Sequence, residues 1–318
     1  MPSACEVTLH ILVLGSAAGG GFPQWNCNDA VTRRVRAGDP DVLPRTQSSL
    51  AVSADGSRWV LLNASPDLRQ QINDRLELQP GLSDAKRASP IRAVVLTNGD
   101  VDHVAGLLTL RESQPFAVYA HGRVLQLLAE NSIFNVLNPE FVERREMPLD
   151  LGFALADRSG GELGLEVLAF AVPGKVPLWR EGAGAPELGT RTGDALGLEI
   201  RATDGAQRFF YIPGCAALPF DLRARLRGAA LVFFDGTLWR DDEMIAAGTG
   251  RKTGQRMGHM SCSGADGAMA AFEGLEVARK VFIHINNSNP LLVADSAERA
   301  QAAAQGWDIA HDGMEIRL

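Results

Sequence analysis

Short apolar runs, each closed by turn-forming residues, recur along the whole chain. HILVLGS (10–16), IRAVVLT (91–97), FAVYA (116–120), AALVFFDGT (229–237) and KVFIHINN (280–287) are rich in β-branched and aromatic side chains, and they read as strands. ELGLEVLAFAVPG (162–174) reads as another. QSSLAVSADGSRWVLLNAS (47–65) and ALGLEIRATDGAQRFFYIPG (195–214) each contain Asp-Gly between two apolar stretches, which predicts a hairpin in both. Helical spacing covers 65–76, 104–113, 122–134, 219–228, 264–275 and 295–307. The order strand–strand–helix–strand–helix is followed by a similar second half. That order predicts an α/β chain with two sheets and helices outside. No Pro-rich or low-complexity linker interrupts it, so one domain is expected over residues 1–318.

Composition narrows the partners. The chain has 318 residues, is 46% hydrophobic and 22% charged, and carries a formal net charge of −7, which argues against a standing nucleic-acid or anionic-membrane partner. Cys5, Cys27, Cys215 and Cys262 are widely scattered, with no disulfide-framework or metal spacing. The first apolar run is short and lacks a basic flank, so neither a signal peptide nor a membrane span is expected. A reducing, cytoplasmic location is expected.

Candidate chemistry concentrates at strand ends. Asp100, Asp102 and His103 fall within four residues between IRAVVLT and a helical pattern. Carboxylates this close repel unless a cation sits among them, and oxygen with imidazole donors suits iron, manganese or zinc. The same residues would also serve as a helix cap. His284 ends a buried-looking strand before a loop containing Asn286, Asn287 and Asn289; it reads as a ligand or as a satisfied core histidine. Asp235 follows four apolar residues, and His259 precedes a helical pattern. The two would pair as an acid/base couple, or stand separately as a turn Asp and a helix-start His.

The glycine run GSAAGGGFPQWNC is not a nucleotide loop, because Pro23 forbids a helix opening there. It reads as backbone lining a cavity. Ser65 and Asp67 read as a helix start, Cys215 as a small buried hydrophobe or a lone soft ligand, and His10, His121 and His311 as structural.

The combination resembles the metallo-β-lactamase superfamily, whose usual signature is His-x-His-x-Asp-His. Over NGDVDH, Asn98 and Asp100 stand where the two leading histidines belong, while Asp102 and His103 match the closing pair. The resemblance implies an αββα sandwich of two mixed sheets with helices on the outer faces. It also implies a metal on Asp102, His103 and His284, with Asp100 as a further ligand or neighbour. Cys215 stands where the phosphodiesterase-like branch usually has a bridging Asp, which suggests one metal in place of two.

GGGFPQWNC, RTQSSLAVS, LLNASPDLRQQI, TNGDVDHVAGLL, YIPGC and FIHINNSNP extend the resemblance over nearly the whole chain to the family of pyrroloquinoline quinone (PQQ) biosynthesis proteins B. That resemblance implies iron(II), with zinc possible in purified protein. It also implies dioxygen as co-substrate and oxidation or hydroxylation of the tyrosine-derived ring of a small Glu–Tyr-derived precursor. Other PQQ biosynthesis proteins are implied partners. On this reading Asp235 and His259 move protons, and Asn98, Arg69, Asn286, Asn287 and Asn289 contact substrate. Transport of PQQ or its precursor to the periplasm, and metal-dependent hydrolysis, are the alternatives. Relatives commonly hold a structural zinc with Cys-x-Cys-x-x-Cys. Here Cys27 is followed by Asp29 and Thr32 at the other two places, so that zinc is expected to be absent.

Overall fold

Alternate side chains along the strands face different cores, which explains their near-continuous apolar character. In Leu231–Asp235, Leu231 and Phe233 join one cluster while Val232 and Phe234 join another. In His10–Gly15, Ile11 and Val13 face that first cluster, and Leu12 and Leu14 face a third. The computed structural model describes residues 8–82, 84–175, 193–205 and 207–318, so Cys5 lies outside the described residues.

One sheet comprises β1 (His10–Gly15), β2 (Ser49–Ser53), β3 (Trp59–Leu62), β4 (Ile91–Val95), β5 (Phe116–Ala120), β6 (Val142–Glu146) and β14 (Glu315–Arg317), in the order β14-β1-β2-β3-β4-β5-β6. The other comprises β7 (Phe153–Ala156), β8 (Glu162–Ala171), β9 (Leu196–Ala202), β10 (Arg208–Ile212), β11 (Leu231–Asp235), β12 (Arg279–Ile283) and β13 (Trp307–Ile309), in the order β13-β12-β11-β10-β9-β8-β7. Each sheet mixes antiparallel with parallel pairs. The sheets pack face to face over a core that includes Val13, Val52, Val95, Val167, Tyr211 and Phe233. Helices Leu68–Asn73 and Gly122–Glu130 cover the outer face of the first sheet; Phe220–Leu226 and Ala297–Ala304 cover that of the second. The expected αββα sandwich is therefore present.

Both Asp-Gly hairpins form: β2 pairs antiparallel with β3, and β9 with β10. The helical expectations all shorten, and two shrink most. Residues 104–113 give one α-turn at Val101–Val104 and then a 3-10 segment, Ala105–Leu110. The cause is Gly106, whose N–H donates to the Ala64 carbonyl at 2.9 Å and pins the segment against its neighbour. Within 264–275 the α-helix is confined to Ala268–Ala271, because Gly264 and Gly274 adopt φ of +91° and +69°. No helix among the described residues is long and apolar enough to cross a membrane.

Candidate metal centre

The carboxyl ends of β4, β10, β11 and β12 meet at one rim, where open α/β sheets commonly bind ligands. After β4 the chain turns through Asn98 and Asp100 into Val101–Val104, which carries Asp102 and His103. The turn is held from below: Asn63 Oδ1 accepts from Thr97 N at 2.9 Å, and Ala64 N donates to the His103 carbonyl at 2.8 Å. β11 delivers Asp235 and then Thr237. β12 ends at Ile283, and His284 takes a left-handed φ of +62°, which turns its ring out of the strand and towards Asp102.

Three imidazoles share one pattern of hydrogen bonding. His103 Nδ1 lies 2.8 Å from Asn98 Oδ1 and donates to it. Thr237 gives its hydroxyl hydrogen to Asp235 Oδ1 at 2.6 Å, so it accepts from His284 Nδ1 at 2.8 Å. His259 Nδ1 donates to Asp235 Oδ2 at 2.7 Å. Each ring thus has its Nδ1 occupied by the protein, leaving Nε2 as the nitrogen available for a ligand.

Two features call for a cation. His103 Nε2 is buried without a hydrogen-bond partner among the described residues, 3.8 Å from Asp102 Oδ2. His284 Nε2 lies 3.0 Å from the same oxygen, and two acceptors at that distance need a shared proton or a metal between them. Electrostatics agree. Burial lowers the His103 pKa to about 4, keeping its lone pair free at neutral pH. Burial opposes ionisation of Asp102, yet His103 and His284 hold its carboxyl well below the usual range. His284 is also buried, but Asp102 raises its pKa overall. The donor atoms of Asp102, His103 and His284 lie within 4.8 Å of one another, so these residues fit a metal.

Asp235, His259 and His284 form a second group of the same tightness. Asp235, however, already accepts four hydrogen bonds, from Thr237 N, Thr237 Oγ1, Cys215 N and His259 Nδ1. That carboxylate is a brace for His259. Cys215 donates its thiol to the Ala217 carbonyl at 3.0 Å and offers Asp235 its backbone amide.

A cavity of about 470 Å³ opens over these groups, lined also by Ala18, Gly19, Asn98, Asp100, Asn286, Met244, Met257 and Lys175. The glycine loop thus borders the site. It is held by Gln47, which accepts from Gly20 N at 2.9 Å and donates to Asp67. The expected substrate contacts divide. Asn286 borders the cavity, whereas Asn98 does so while orienting His103. Arg69 is exposed on Leu68–Asn73 and is not among the lining residues, because Leu68 and Gln71 take that helix's buried face. Asn287 bonds Gly21 O and Gln24 N, and Asn289 bonds Gly236 O and Leu291 N; both tie loops together. At the two places that lack the cysteines of the zinc motif, Asp29 caps Ala30–Arg36 by accepting from Thr32 N, and it also accepts the Cys27 thiol at 3.1 Å.

Sequence reasoning missed Thr237, whose single hydroxyl serves Asp235 and His284 together. A threonine after a strand carries no signal of that role. Thr237→Val and Asn98→Ala should each weaken metal binding by about 10- to 100-fold, measured by competitive chelator titration, since each removes the partner that fixes a ligand's tautomer. Wild-type affinity in both would show that these partners are dispensable.

The model of the beta-lactamase superfamily domain matches residues 58–285, which span Asn98 to His284. The fold and the histidine–carboxylate rim thus define the class as a metallo-β-lactamase-type protein. Within that class, the chain belongs to the coenzyme PQQ synthesis protein B family. It is 55% identical to the protein of that name from Xanthomonas campestris pv. campestris strain B100 over 310 residues, 98% of this chain and 100% of the relative. Identity to the Gluconacetobacter diazotrophicus protein is also 55%, over 97% of this chain and 99% of that one. The crystal structure of Zn²⁺-bound PqqB from Methylobacterium extorquens matches with a TM-score of 0.92 at 51% identity, covering 97% of this chain and 100% of that chain. A diphosphatase of the PhnP family, at 20% identity, TM-score 0.64 and coverage of 98% and 97%, shares the fold.

Proposed function

We propose that the chain acts in PQQ synthesis as an iron(II)-dependent enzyme that uses dioxygen to oxidise or hydroxylate the tyrosine-derived ring of a Glu–Tyr-derived precursor. The observation that carries this reading is the convergence of the Asp102 carboxylate with the unpartnered Nε2 of His103 and the Nε2 of His284. Two imidazoles and one carboxylate are the donor set of non-haem iron oxygenases. Iron(II) bound there would supply redox electrons and open positions for dioxygen. Zinc fits the same donors but has no redox chemistry, so a zinc-loaded form is expected to be inert towards dioxygen.

The remaining roles fall to the protein's own groups. His259, fixed through Nδ1 by Asp235, presents Nε2 to accept the phenolic proton and return it. Asp235 holds that tautomer with its lone pairs already engaged. Asp100 borders the cavity but is not in the tight Asp102–His103–His284 group, so it would stand beside the metal, while Asn286 would orient the ring's substituents. The saturation of Asp235 supports a single metal, which disfavours the two-metal clamp many hydrolases use.

Anaerobic loading with iron(II), followed by dioxygen-electrode measurements with the precursor, tests the reading. Consumption with iron and none with zinc is expected. Hydrolysis by the zinc form without oxygen uptake would overturn it. His259→Gln should lower turnover by about 10²- to 10⁴-fold at unchanged metal content.

A further inference from the structure

Of the three asparagines that follow β12, Asn286 is the one among the described lining residues of the cavity. Its backbone is fixed from both sides. Its N–H donates to the Thr237 carbonyl at 3.1 Å, and its carbonyl accepts from Asn289 N at 3.0 Å. Its side chain is held from behind. Asn286 Nδ2 donates to Ser288 Oγ at 2.7 Å, and Ser288 Oγ donates to Glu243 Oε1 at 2.6 Å. Glu243 is 7% exposed and opens the short helix Glu243–Ala246, whose next residue, Met244, also lines the cavity.

The direction of this chain of bonds follows from counting hydrogens. Glu243 Oε2 accepts from Trp239 N at 2.7 Å and Arg240 N at 3.4 Å, so that end of the carboxyl is anchored as an acceptor. Burial raises the Glu243 pKa, and the hydrogen bonds from Ser288, Trp239 and Arg240 work against that rise by favouring the carboxylate. A carboxylate has no hydrogen to give, so it takes the single one that Ser288 has. Ser288 can then only accept from its other neighbour, which must be the NH2 end of the Asn286 amide. The oxygen end, Oδ1, accepts from nothing among the described residues and is left for the cavity. His259, whose Nδ1 donates to Asp235, likewise presents a lone pair on Nε2. Two neutral acceptors thus border one cavity.

We infer that Asn286 is a specificity residue whose Oδ1 accepts from a second hydroxyl of the phenolic ligand, and that Glu243, through Ser288, is the positioning residue that fixes this polarity. The inference deepens the functional reading above and rests on it for the phenol at His259. A ligand whose second group can only accept leaves Oδ1 without a partner and binds less tightly.

Binding to the full-length, zinc-loaded protein under nitrogen tests this without turnover. The probes are resorcinol and hydroquinone, whose two hydroxyls lie too far apart to chelate one metal ion, each beside its monomethyl ether and titrated by calorimetry. The wild type is expected to bind at least one diol about 2- to 10-fold more tightly than its ether, the span of one neutral hydrogen bond. Glu243→Gln is nearly isosteric. Its amide oxygen keeps the Trp239 N–H, its NH2 donates to Ser288, and the Ser288 hydrogen turns to Asn286, whose amide then reverses and offers NH2 to the cavity. That variant should gain affinity for the ether and lose the diol preference at unchanged zinc content, whereas a merely structural lesion would weaken all four probes alike. Ser288→Ala should also erase the preference, and Ser288→Thr, which keeps the hydroxyl, should retain it. A wild type with no diol preference, or a preference that survives Glu243→Gln, would overturn the inference. Diol preference as expected, but without iron-dependent oxygen uptake, would instead count against the oxygenase reading alone.

Discussion

His103→Ala should give a folded chain that no longer retains iron or zinc through desalting. His103 is 2% exposed and its Nε2 has no hydrogen-bond partner among the described residues, so the ring's outer nitrogen contributes nothing to folding that a metal would not claim. With its pKa lowered to about 4 by burial, the imidazole is neutral near pH 7 and competes with no proton for a cation. Removing it leaves Asp102 and His284 facing each other across 3.0 Å, a pair that one proton satisfies. The loss of affinity should therefore exceed the ~10- to 100-fold expected when only an orienting partner is removed. Elemental analysis gives the metal content, and the circular dichroism spectrum should remain that of the wild type. Full metal retention in this variant would sink the assignment of His103.

Gly106→Ala should be the most damaging single methyl group near the site. A β-carbon there would lie 2.2 Å from the Ser65 carbonyl oxygen and 2.8 Å from Ala64 C, both rigid backbone. The segment Ala105–Leu110 would have to lift, breaking the Gly106–Ala64 hydrogen bond and pulling on the Ala64–His103 bond beside it. Overpacking of this kind costs about 3 kcal/mol at the upper end of its usual range. Urea denaturation should show that loss. Metal affinity should fall with it, because displacements near 1 Å disturb a ligand set. A variant with wild-type stability would mean that the two loops are not locked together as described.

Much of this fold was legible in the chain because its signals are local. Two Asp-Gly turns marked two hairpins, and strands whose alternate residues feed different cores read as continuous apolar runs. The polar strand β6, VERRE, gave no such signal, since it sits at a sheet edge and only Val142 is fully buried. The strands β13 and β14 are only three residues each, and β14 depends on β1, at the far end of the chain. At the site, Asp102, His103, His284, Asp235 and His259 were visible because polar groups at the ends of buried strands are costly without a purpose. Thr237 and the outward turn of Arg69 were not visible. Their roles follow from tertiary approach: a hydroxyl between two elements, and a helix whose buried face was claimed by Leu68 and Gln71.

Asp102 and His103 belong to the loop after β4 in one sheet, whereas His284 follows β12 in the other, and the His284–Asp102 contact joins positions 182 residues apart. A cation gripping both would act as a clasp between the two halves of the sandwich. The unfolded chain, with its ligands so widely separated, cannot offer that grip. Occupancy therefore weights the native state, by about 2.7 kcal/mol when the free metal is 100 times its dissociation constant. The midpoint of thermal unfolding becomes a gauge of metal supply, and a cell short of the metal would hold a protein that is not merely inactive but easier to unravel.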